Sequence, residues 1–167
     1  MRTLSHIALG ISLSGIVSPD ARASRPSSRP AEKSASVLKA ADELAAAVRA
    51  RDLTALLRFV APDGVPCIDS AVSQQELAKQ LRTRDTWLGA YFFAPERFNQ
   101  EFASPYIPMS FAEFLAAARE LRSTVPGGQD QRYPCVRFVA SNMEWSPEFC
   151  FRRYRGRWVL GDLPNCA

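Results

Sequence analysis

A chain of 167 residues with 21 lysines and arginines against 17 acids carries a formal net charge of +4, too mild a field for a polyanion binder. Its single histidine, His6, stands in the N-terminal segment. If that segment is removed, Ser-His-Asp and Cys-His catalysis and every histidine-containing zinc site are excluded.

The segment has the form of a secretory leader. Arg2 supplies the positive start, Ile7 to Val17 form a short apolar run, and Ala21-Arg22-Ala23 is a small-x-small cleavage signal. The expected signal peptide is residues 1–23. The run falls short of the roughly 20 apolar residues of a spanning helix, so no integral membrane segment is expected after cleavage, and the destination is periplasmic or secreted. Cutting after Ala23 removes Arg2, Arg22 and Asp20 and leaves a net charge of +3. Residues 24–34, SRPSSRPAEKS, read as a disordered linker, and residues 35–167 as a single α+β domain.

From Ser36 the pattern turns helical, with Val37, Ala41, Leu44, Ala45 and Val48 on one stripe. Asp52 opens a second helix carrying Leu53, Leu56, Leu57 and Val60, and Pro62-Asp63-Gly64 stops it. Val65 to Ile68 is a short extended piece. Ser73-Gln-Gln-Glu76 and Ser110-Phe-Ala-Glu113 are capping boxes opening helices to about Arg82 and Arg122. The stretch between them is helical in pieces, with Pro95 at a first turn. Beyond Pro126-Gly127-Gly128 the residues alternate.

Tyr154-Arg155-Gly156-Arg157 fits a tight turn. Pairing 154 with 157 puts Phe149, Phe151, Trp158 and Leu160 on one face and Cys150, Arg152, Tyr154, Arg157 and Val159 on the other. Carried through a turn near Asn142-Met143, the register sets Cys135 opposite Cys150 and Arg137 opposite Glu148. The four cysteines then pair as Cys135–Cys150 and Cys67–Cys166, consistent with an exported chain. Zinc bound by four cysteines would want a Cys-x-x-Cys pair, which is absent; no metal or cofactor is expected.

Three clusters compete for function. Arg152, Arg153, Arg155 and Arg157 crowd the hairpin; arginine outnumbers lysine 18 to 3 in the chain, so the cluster reads first as a solvated turn, then as a surface for anionic envelope partners, and not as a nucleic-acid site. Nine of the 17 aromatics lie between Trp87 and Phe114; they are either core or a lined pocket in which Trp87, Tyr91, Phe92 and Phe102 would bind an apolar ligand. Asp69, Tyr91 and Tyr106 are the candidates for acid/base work in such a pocket. Ser36-Val-Leu-Lys39 matches a Ser-x-x-Lys pattern whose companion Ser-Asp-Asn and Lys-Thr-Gly elements are absent.

ADELAAAVRARDLTALLRFVAPDGV, with the order of elements after it, resembles the opening of the cone-shaped α+β superfamily of ketosteroid isomerase, SnoaL-like cyclases and nuclear transport factor proteins. That resemblance implies N-terminal helices packed on a curved antiparallel sheet that wraps a pocket. The isomerase's Tyr/Asp pair falls on no residue here, so it carries over no catalytic site. The expected function is a disulfide-stabilised, non-catalytic module binding an apolar small molecule or a cell-envelope partner. The alternatives are an isomerase-like enzyme using an Asp or Tyr in an aromatic pocket, and an interaction protein presenting the arginine hairpin.

Overall fold

A computed structural model describes residues 29–66, 71–126 and 133–163. The expected leader and its cleavage site, and Cys67, Ile68, Asp69, Gly127, Gly128 and Cys166, lie outside the described residues. Helices α1 (Arg29–Arg49) and α2 (Leu53–Leu57) lead into a small ribbon of β1 (Val65–Pro66) and β2 (Ala71–Val72). Four short helices follow: α3 (Gln74–Arg82), α4 (Trp87–Phe93), α5 (Pro95–Glu101) and α6 (Phe111–Ala117). An antiparallel meander of β3 (Arg122–Thr124), β4 (Cys135–Val139), β5 (Glu148–Tyr154) and β6 (Arg157–Leu160) completes an α+β fold.

The helices form where the caps predict. Asp52, Ser73, Thr86 and Ser110 each accept from the backbone N–H three residues on, at 2.9 to 3.1 Å. The α1 stripe of Val37, Ala41, Leu44, Ala45 and Val48 is at most 2% exposed. It ends in a left-handed turn at Arg51, φ 52°, whose N–H donates to Val48 while Asp52 N–H donates to Ala47. Gly89 is a close-packing residue: a Cβ there would sit 2.1 Å from the Thr83 carbonyl oxygen, so only glycine lets α4 pass so near the end of α3.

The sheet follows the expected register. Cys135 faces Cys150 and Arg137 faces Glu148; the cysteines are joined as a disulfide, and Arg137 donates twice to the Glu148 carboxylate at 2.9 and 3.0 Å. Phe151 N–H donates to Pro134 O, which makes Cys135 and Cys150 a non-hydrogen-bonded pair, where facing side chains come closest. Tyr154 pairs with Arg157 across a turn in which Arg155 and Gly156 both have positive φ, as a two-residue hairpin of this twist requires. Val136, Phe138, Phe149, Phe151, Trp158 and Leu160 are buried against the helices.

Three expectations need correction. The helix α1 begins at Arg29, inside the segment read as a linker; a first turn tolerates a proline such as Pro30, and Glu32 complements the helix N-terminus. The last helix stops at Ala117 instead of about Arg122, and residues 122–124 become an edge strand paired with β4. Asn142 explains the stop: its amide donates to Ala117 O at 2.9 Å and its carbonyl accepts from Arg119 N–H at 2.7 Å. Val159, on the face expected to meet water, is fully buried. The chain leaving α2 runs alongside β6, where Leu160 N–H donates to Phe59 O at 2.7 Å.

Candidate functional site

The hairpin arginines have separate employments. Arg152 leaves β5 on the outer face and donates to both oxygens of Asp63, at 3.2 and 2.6 Å, and to Gly64 O at 2.9 Å. This fastens the hairpin to the turn between α2 and β1. The Arg152 guanidinium in turn holds the Asp63 carboxyl below its usual range. Arg153 lies over the Trp158 ring, 4.2 Å from its centroid, and donates to Gly156 O and Ser36 Oγ. Arg155 lies against the Tyr154 ring at 5.6 Å. Of the three expected anion-binding arginines, Arg152 is engaged by Asp63, whereas Arg155 and Arg157 are exposed.

The expected aromatic pocket is a packed core. Tyr91, Phe92, Phe98, Phe111 and Phe149 are at most 2% exposed and their rings meet at 4.7 to 6.4 Å. Trp87 stacks on Tyr91 at 4.7 Å, and Phe102 leans on Phe98 at 6.1 Å; both are half-buried at the margin of the cluster. Helices α4, α5 and α6 each bury one or two rings, so these aromatics close on one another as packed core. Burial pushes the Tyr91 phenol far above its ordinary pKa, which keeps it protonated and unfit as a base at neutral pH. Tyr106 stands 89% exposed in the loop before α6. The two tyrosines are not brought to a common site.

What the fold does assemble is a groove of about 480 Å³ between α1, α2 and β6. Ala40, Ala55, Phe59 and Trp158 supply its apolar surface; Lys39, Arg58 and Arg157 supply three cations, against one acid, Glu43. Ser36, Lys39, Ala40 and Glu43 recur at helical spacing along one face of α1, Arg58 caps the end of α2, and Arg157 opens β6. Ser36 also latches the wall: its Oγ accepts from Trp158 Nε1 at 3.0 Å and donates to Lys33 O at 2.9 Å. A hydroxyl so engaged is not a poised nucleophile.

Sequence reasoning missed Lys39, Arg58 and Phe59, because each sits in a segment that looks like an ordinary surface helix. The one usable signal was the Ser36-Lys39-Ala40-Glu43 face beside the core stripe. A second hollow, of about 420 Å³, places Arg51, Arg84 and Arg97 with Asp85 and Glu96; Arg97 is held there by Glu101 at 2.6 Å, so its charges are closer to balance. Among the described residues, the grouping with metal-ligand chemistry is Cys135, Glu148 and Cys150. Its two sulfurs are consumed by the disulfide and its carboxylate by Arg137.

No described helix is long and apolar enough to cross a membrane. Comparison with known protein families, curated proteins and solved structures finds no match for this chain.

Proposed function

We propose that the protein is an exported, disulfide-braced, non-catalytic binding domain for a small apolar molecule or a cell-envelope partner, and that the groove between α1, α2 and β6 is where it binds. Export is supported by the charged-apolar-small pattern of residues 1–23 and by the Cys135–Cys150 bridge, which an oxidising compartment preserves. The binding role rests on one observation above the rest: an apolar floor ringed by cations in a concave site of ligand size. Of the candidates for a catalytic reading, Tyr91 is buried, Tyr106 stands on an exposed loop and Asp69 lies outside the described residues.

The test is native mass spectrometry of the full chain purified from its natural compartment. The mature species is expected to begin at Ser24 and to carry a small-molecule adduct that Ala55→Trp, filling the groove, removes. An adduct retained in that variant, or no adduct and no binding by any small apolar probe, would refute the assignment.

A further inference from the structure

The charges around the groove are unequally engaged. Asp52 caps α2 through Ala55 N–H, Asp63 is held by Arg152, and Asp42 accepts from Ser123 on β3. Glu43 lies 3.9 Å from Lys39. Among the described residues none of these four acids pairs with Arg58 or Arg157, and neither arginine has a carboxylate partner. Both arginines are exposed at the rim of the groove, whose apolar floor is the half-buried Ala55 and the narrow strip that the largely buried Phe59 and Trp158 leave open. Two forks with no acid to satisfy them suit an oxyanion, which arginine grips with paired hydrogen bonds.

We infer that the occupant is a small anionic amphiphile, free in solution, whose carboxylate or phosphate head is held by Arg58 and Arg157 and whose apolar body lies on Phe59 and Trp158. This rests on the groove being a binding site and adds the chemistry of its ligand. A concave site of about 480 Å³ favours a discrete molecule over a flat membrane surface, because a bilayer cannot enter it. Lys39 stands as a third, weaker attraction, partly offset by Glu43. Trp158 gives a local reporter, since its indole N–H is fixed on Ser36.

The experiment titrates the full mature chain with decanoate, decyl phosphate and the neutral decanol, each below its aggregation limit, following the Trp158 indole signal by NMR and the heat by calorimetry. Both anions should bind at the groove, at least about tenfold more tightly than decanol, with affinity falling as salt is raised. Arg58→Ala and Arg157→Ala should each weaken them about tenfold, while Arg82→Ala, on the exposed face of α3, should change nothing. If decanol binds as well as the anions and the arginine variants are silent, head recognition is overturned while the groove remains a binding site. If no amphiphile binds, both readings fall. Binding only to anionic lipid vesicles, with no response to the free amphiphiles, would overturn the inference in favour of a membrane surface.

Discussion

Phe111 is the sharpest probe of whether the aromatic region is core or pocket. Its ring lies 4.7 Å from Phe149 and 5.1 Å from Phe138 on the sheet, and 6.2 Å from Phe92 and 6.3 Å from Tyr91 on α4. It is fully buried and bridges the two layers. Replacing it with alanine removes the ring from a site closed by other rigid rings, so little collapse can refill the space. The expected cost is about 3–5 kcal/mol, a large share of the roughly 5–15 kcal/mol that holds a domain together. Urea unfolding followed by tryptophan fluorescence should show a lower midpoint at unchanged slope, and the thermal midpoint should fall by roughly 10–20 °C. The cavity should be apolar and dry, so saturating benzene should restore part of the loss. Tyr91→Phe is the matched control: the hydroxyl makes no hydrogen bond among the described residues, so its removal should be neutral or stabilising. A Phe111→Ala cost below about 1 kcal/mol, or no rescue by benzene, would mean that the rings do not pack as described and that a lined pocket is the better reading.

Two further outcomes follow from single contacts. Asn142→Ala should destabilise by about 1–2 kcal/mol, because it strips the partner from Ala117 O and Arg119 N–H at once; faster hydrogen exchange at Arg119 in the variant would locate the effect, and unchanged exchange would deny the capping role. Asp63 and Asp162 set opposing pH responses. Asp63 is depressed by Arg152 from an ordinary value of 3.8, so its contribution is complete above that value and fades as the pH falls through the lower folded one. Asp162 is raised by partial desolvation and by Glu148; its contribution is present below the ordinary value and fades as the pH rises through the higher one. The stability difference between the wild type and Asp63→Asn should therefore shrink on acidification below 3.8. A difference constant with pH would show that Arg152 does not depress Asp63.

The parts of the fold that were legible in the sequence were those governed by local rules. Hydroxyl and carboxylate caps at Asp52, Ser73 and Ser110 fix helix starts by a bond three residues long, and a strict period of two fixes a hairpin register from one turn. A second turn, placed near Asn142-Met143, carried that register on to Cys135 opposite Cys150 and Arg137 opposite Glu148. Helix ends were less legible because their determinants are distant: α6 stops where Asn142, from the turn between β4 and β5, captures its last carbonyl. The strand at 122–124 went unseen for the same reason. Arg122, Ser123 and Thr124 have no apolar alternation, and they are extended because β4 lies beside them and Asp42 of α1 accepts from Ser123 at 2.7 Å.

The site was less legible still, and the reason is how charge is distributed. The arginine cluster at residues 152–157 drew attention as a block, yet the fold divides it: Arg152 to an acid, Arg153 to an indole, Arg155 to a phenol ring, and Arg157 to the groove. Composition counts every acid as available to every base, which makes the chain look nearly neutral. Folding pairs Asp63 with Arg152 and directs Asp52 to a helix end and Asp42 to Ser123, so none of the three forms an ion pair with Arg58 or Arg157. Arg58 and Arg157 stand nearly a hundred positions apart in the chain and come to line one groove only when β6 is laid beside the end of α2 by the Leu160–Phe59 hydrogen bond. Among the described residues neither has a carboxylate partner, which no linear reading of the residues themselves displays.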